Sequence, residues 1–170
     1  MTPRDLIADA VLTNKKLVAR YLAGFTDQSC TAQATNLPNH VSWSLGHLAL
    51  TMHRVAEKVD GQGPPSSDFG AGSSRTTFNT EAVAFGSKPA ADAAAYPSLA
   101  RSIEIFDAAA DRLAAVARGA PDSKFNEIIK WGPVEAPWWS LVVRMVFHNG
   151  FHTGQIADLR RALGMKSIFS

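Results

Sequence analysis

The sequence predicts an all-α fold, a four-helix bundle with a long loop between the second and third helices. Three observations carry that expectation. Apolar residues recur at three- and four-residue steps in four separate segments, the period of one helix face. Start and stop residues bracket those segments, with Thr2-Pro3, Pro97-Ser98 and Pro137 at the beginnings and Gly24, Gly61, Gly119 and Gly164 at the ends. No set of alternating segments offers a competing sheet, so a layered bundle is the architecture left.

The first helix opens with Thr2 as N-cap, Pro3 at the first helical position and Asp5 in the first turn. Leu6, Ala10, Leu17 and Tyr21, with Ile7, Val18 and Leu22 beside them, continue it to Gly24. After a polar loop containing Pro38, a second helix spans about Val41 to Asp60 and stops at Gly61. Its main stripe is Val41, Leu45, Leu48, Met52, Val55 and Val59. Trp43 and Leu50 make a second apolar face, as expected of a helix that is central or shared with a partner chain.

Residues 61–96 hold five glycines and three prolines without a sustained period. A connection this long is a lid, a binding loop or a disordered segment, with Phe69, Phe78 and Phe85 as points where it docks. A short helix from Ala90 is an option. The third helix follows Ser98 and uses Leu99, Ile103, Phe106, Ala110, Leu113 and Ala117. Residues 122–136 are irregular, with at most an extended piece near Phe125 to Ile129, before a fourth helix runs from Pro137 to Gly164.

At 170 residues, with 46% apolar and 19% charged residues, the chain reads as one domain over residues 1–170 with a core that needs no covalent staple. Seventeen Lys and Arg against fifteen Asp and Glu leave a formal charge of +2. The clusters Lys15, Lys16, Arg20 and Arg160, Arg161, Lys166 lack interleaved aromatics and read as solvated faces, which excludes a nucleic-acid platform. Cys30 is the only cysteine, so no intrachain disulfide forms and a reducing compartment fits. Asp5 and Asp9 interrupt the start where a signal peptide needs an apolar run, and no run reaches the about 18 apolar residues of a membrane span. A soluble cytoplasmic protein is expected.

The fourth helix carries the chemistry. Trp138, Met145, His152 and Leu159 form one heptad seam; Leu141, His148, Gln155 and Ala162 form its companion. His148, His152 and Gln155 thus make a polar patch where leucines belong, and burying such groups costs about 1–3 kcal/mol each unless partners satisfy them. Imidazoles four residues apart share a helix face and can reach one ion. The pair alone does not decide between a metal site and core histidines bonded to carbonyls and hydroxyls. Asn149, Gly150 and Phe151 stand between the histidines, so the glutamate of the HExxH motif is absent. Gly150 in mid-helix permits close approach of a neighbour or is simply tolerated.

A catalytic zinc takes about three protein ligands and keeps one position open. His47, on a semi-apolar face beside Trp43, is a better third candidate than His53, which is placed on the surface; His40 lies at or before the helix start. Spacing does not settle the choice.

WSLGHLALTMHR (Trp43 to Arg54) together with HNGFHTGQIADLRRALGM (His148 to Met165) resembles the DinB/YfiT-like family of metal-binding four-helix bundles. The resemblance extends over the whole chain in the order of its elements, and its specificity lies in the GHL and HxxxHxGQI patches. It implies His47, His148 and His152 as ligands of a divalent metal, zinc first and nickel second. Thr51 stands one turn after His47, where some members carry an acidic residue, so no carboxylate ligand or base is available there. Thr51 and Gln155 are the candidates to support the ligands. The resemblance also implies a small-molecule substrate, hydrolase or thiol S-transferase chemistry with a low-molecular-weight thiol as co-substrate, and a homodimer. The alternative is a non-catalytic, metal-binding or stress-induced helical dimer. Arg144, one turn before His148, reads as an exposed helix charge or as a guide for an anionic substrate. Trp131, Trp138 and Trp139 are read as core or as walls of a pocket mouth.

Overall fold

A computed structural model describes residues 1–169. Four long helices build the bundle: α1 (Pro3–Leu22), α2 (Val41–Asp60), α3 (Leu99–Gly119) and α5 (Trp138–Ala162), with a single turn, α4 (Asp122–Phe125), between the last two. Their ends follow local chemistry. The Thr2 hydroxyl accepts from the Asp5 amide while the Asp5 carboxylate accepts from the Thr2 amide, a reciprocal cap that fixes α1. Ser98 caps α3 in the same sense, accepting from Arg101 N. Gly61 ends α2 at φ +71°, a left-handed conformation that costs glycine little.

The N-cap of α2 is an imidazole. His40 Nδ1 accepts from Trp43 N at 3.2 Å, which leaves Nε2–H to donate to Ala90 O at 2.9 Å. The ring is fully buried and closed at both nitrogens, so it belongs to the architecture.

α5 is held antiparallel to α2. Asn39 meets Gln155 at one end of the pair, and Trp138 Nε1 donates to Val55 O at 2.7 Å at the other. Trp138 is therefore a core residue rather than part of a pocket mouth. Along α5 the seam through Trp138, Met145, His152 and Leu159 is buried as its period requires. The companion seam leaves the core after Leu141: His148 and Gln155 are half-buried and Ala162 is exposed. A straight α-helix drifts against a seven-residue repeat, and here Asn149, Thr153, Ile156 and Arg160 take over the interior.

Residues 61–98 are ordered against the bundle. Strands β1 (Phe69–Gly70) and β2 (Phe78–Asn79) pair in parallel, and 3-10 turns occupy Glu81–Val83 and Ala93–Ala95, the latter where a short helix from Ala90 is expected. Phe69 and Phe78 are buried, but Phe85 is 93% exposed and does not dock. Phe78 and Val83 lie so close to Gly46 that a Cβ there would meet them at 2.7 and 2.9 Å. The second apolar face of α2 is thus covered at Gly46 by this chain's own connection, while Leu50 on the same face lines a cavity. Asp68, buried at the edge of this segment, pairs with Arg101 on α3 at 2.6 Å.

A hairpin replaces the expected irregular stretch before α5. Strands β3 (Ile128–Trp131) and β4 (Val134–Pro137) pair antiparallel, with Trp131 opposite Val134. The two-residue turn Gly132-Pro133 has φ +58° at its first position. That is the place where hairpin turns ask for glycine, so the WGPV string carried the signal.

Arg160 also departs from a solvated face. It is buried and donates to Tyr21 O at 3.1 Å, to Lys166 O at 2.9 Å and to Ala23 O, so it fastens the α1 end and the C-terminal segment to α5. Cys30 is buried, its thiol against Asp27 O.

Candidate metal centre

α2 and α5 cross so that three imidazoles meet between them. His47 comes from the buried middle of α2, His148 and His152 from successive turns of α5, and one ligand nitrogen from each lies within 4.8 Å of the others. His47 Nε2 and His148 Nε2 are 3.3 Å apart. The ring centroids are separated by 5.1, 5.2 and 4.8 Å for the pairs 47–148, 47–152 and 148–152.

The orientation of His47 is set from outside the cluster. Its Nδ1 stands 2.9 Å from Val83 O, and a carbonyl can only accept, so Nδ1 carries the proton and the Nε2 lone pair faces the other rings. Trp43 stacks on the same ring at 4.7 Å with 9° between planes, which fixes its tilt. Thr51 donates to His47 O at 2.6 Å, so its hydroxyl is bound to the backbone and does not touch the imidazole. Gln155 Oε1 accepts from Asn39 Nδ2 at 3.1 Å. Sequence reasoning had no signal for Val83, which stands 36 residues from His47 in a segment without periodicity.

The electrostatics keep all three rings neutral. Burial, then the neighbouring His152 and His47, then Arg144 push His148 down to about 3. Burial and His47 lower His152 to about 4, with Gln155 opposing. For His47 burial lowers the pKa, Val83 O opposes it, and Arg54 lowers it further. Neutral imidazoles offer lone pairs, the form that binds a metal.

The donor set fits a divalent cation. His148 Nδ1 and His152 Nδ1 are buried with no hydrogen-bond partner, as is His53 Nε2 away from the cluster. What marks the three rings is that their ligand nitrogens also lie within 4.8 Å of one another. Nitrogen-only donors from two helices suit zinc or nickel better than magnesium or calcium, which take oxygen.

The remaining histidines do not join. His53 is only 1% exposed, contrary to the surface position expected from its place off the main stripe. Its Nδ1 accepts from Arg112 Nη1 at 2.9 Å, and Arg112 in turn holds Asp60 at 2.9 and 3.1 Å. Gly150 causes no close approach: a Cβ there would lie 3.8 Å from Asn14 Nδ2. Asn149 is a buried residue that the heptad reading passed over; its Nδ2 faces Met52 Sδ at 3.4 Å.

A cavity of about 950 Å³ opens on His47 and His148, between α2 and α5 and under the β3–β4 hairpin. Trp131 and Arg144 line it, whereas Trp138 and Trp139 do not.

A family model described as the DinB superfamily matches residues 12–156. The chain belongs to the DinB superfamily. A crystal structure titled as that of a conserved protein of locus from Enterococcus faecalis is similar with a TM-score of 0.68 and 13% identity. The match covers 96% of this chain and 99% of the other, and at that identity it shows a shared fold. No curated protein matches the chain. Among the described residues no helix is long and apolar enough to cross a membrane.

Proposed function

We propose that His47, His148 and His152 hold a divalent metal ion, zinc first and nickel second, and that the chain uses it on a small molecule bound in the adjoining cavity. One observation carries this reading: three neutral imidazoles converge to within 4.8 Å, two of them with orphaned nitrogens, at the wall of a cavity. Membership in a superfamily that includes metal-binding proteins supports it. When bound, such an ion supplies Lewis acidity that lowers the pKa of a coordinated water or thiol. The chain's own part is to hold His47 with its proton-free Nε2 toward the other rings through Val83 O and Trp43, and to keep one side of the site open to the cavity.

No Asp or Glu lines the cavity, so no carboxylate is in place to act as general base. Thiol transfer needs that base least, because a thiol ionises far more readily than water, and we rank it above hydrolysis. The same absence favours a second reading, a protein that binds metal without turnover.

The test is metal analysis of protein purified without a nickel column, followed by thiol-dependent consumption of chlorodinitrobenzene. About one equivalent of metal per chain, with thiol consumption lost on chelation, supports the enzyme. Metal without turnover favours the binding protein. Less than about half an equivalent, unchanged in a His47→Ala/His148→Ala variant, overturns both.

A further inference from the structure

We propose that the cavity beside the three histidines takes an amphiphilic carboxylate, its acid end clamped by Arg54 and Arg144 and its apolar body laid along the aromatic wall. The statement deepens the function proposed above and rests on it only for which end of the ligand reacts.

The guanidinium groups are the first observation. Arg4, Arg75, Arg101, Arg112, Arg118 and Arg161 each pair with an aspartate, Arg160 holds backbone carbonyls, and Arg20 lies over the Phe169 ring. Among the described residues Arg54 and Arg144 alone of the arginines have no hydrogen bond, ion pair or ring partner, and both line this one cavity. No acidic residue lines it to neutralise them. An Arg fork is the side chain best shaped to grip a carboxylate.

The second observation is the wall. Phe85, Phe147 and Phe151 are 93, 73 and 55% exposed, and all three border the cavity together with Trp131. Large aromatics gathered at one opening mark a binding surface more than a solvated one. A ligand that satisfies both observations has an apolar or aromatic body and an anionic end; a sugar, a cation or a neutral peptide satisfies neither.

Helix geometry supplies the length. Because α2 and α5 are antiparallel, Arg54 and Arg144 are displaced from the histidines in the same direction. Arg54 follows His47 by seven positions and Arg144 precedes His148 by four, which at 1.5 Å per residue gives axial offsets of about 10 and 6 Å. The carboxylate therefore sits about 6–10 Å from the group that meets the histidines, the span of an arylalkanoate.

Calorimetry with 4-phenylbutyrate, its primary amide and 4-phenylbutylamine tests this on the full chain, as purified and after chelation. We expect the acid to bind at least about 10-fold tighter than the amide, and the amine weakest, in the chelated protein where no metal can take the carboxylate. In an Arg54→Gln/Arg144→Gln variant the acid falls to within about 3-fold of the amide, whose own affinity is unchanged and so reports an intact cavity. Equal binding of acid and amide by the chelated wild type, no binding of the acid at about millimolar concentration, or a preference that survives the double substitution overturns the proposal. An acid preference in a chain that takes up no metal upholds it while removing the metal reading. One equivalent of metal without an acid preference does the reverse.

Discussion

The five histidines divide between two regions that bury imidazole in opposite ways. Around His53 the protein supplies the counterparts itself: Arg112 donates to Nδ1, Asp60 and the carbonyls of Gln62 and Gly63 hold Arg112, and the ring stands edge-on to Phe69. Around His47, His148 and His152 the rings face one another: His47 Nδ1 is bonded to Val83 O while its Nε2 stands 3.3 Å from His148 Nε2, and the Nδ1 atoms of His148 and His152 are left open. His40, closed at both nitrogens, sides with the first region. Burial alone is therefore no sign of a ligand. An open nitrogen is no sign either, since His53 Nε2 is also buried without a partner. What sets the three site histidines apart is that their ligand nitrogens converge within 4.8 Å of one another, whereas His53 stands alone against Arg112.

The sharpest way to break this contrast is to remove one ring from each region. His148→Ala should weaken metal binding by at least about 100-fold, while His53→Gln leaves stoichiometry and affinity unchanged, as read by competition with a chromogenic chelator. A loss of metal in the His53 variant would erase the distinction. Next in size, Arg112→Ala should destabilise the fold by about 2–3 kcal/mol in urea, because it strands Asp60 and His53 together, with no change in metal content.

Gly46→Ala tests the connection between the regions and the loop. The new methyl group would fall 2.7 Å from the Phe78 ring, so the loop or the helix must move, at about 1–2 kcal/mol. Because Val83 belongs to the same packed segment, metal affinity should fall as well, whereas a purely structural loop predicts a loss of stability alone.

The smallest effect is on pH dependence in the chelated protein. Burial, then the Arg112 charge, lower His53 to about 4, with Asp68 and Asp60 opposing. Its folded pKa is below the unfolded value of 6.5, so the unfolded chain binds the proton first as pH drops. The stability contributed by the neutral ring is present above pH 6.5 and is lost as pH falls through about 4. A His53→Leu variant should show a shallower decline in urea midpoint across that window, and an unchanged slope would mean that other groups carry it.

Much of the bundle was legible because helix ends are local. Thr2, Ser98 and Gly61 act on residues within four positions, and the bounds expected for the second helix are those observed. The pair on α5 was legible for the same reason, and His47 from its motif and its half-apolar face. The misreadings fall where a partner is distant in sequence. His53 is buried by an arginine 59 residues away, and Arg160 is drawn inside by carbonyls nearly 140 residues upstream. Arg54 and Arg144 differ from the other arginines in having no acid, carbonyl or ring as partner, which no local pattern records.

The bond from His47 to Val83 O has a consequence for how such proteins diversify. The proton that makes one nitrogen of the ring a donor, and so turns the other toward the centre, is positioned by a stretch of chain with no metal-binding residue in it. Lengthening or exchanging that stretch would retune the site while every histidine stayed where it was, so a graft of residues 61–98 between relatives amounts to an edit of the ion's chemistry.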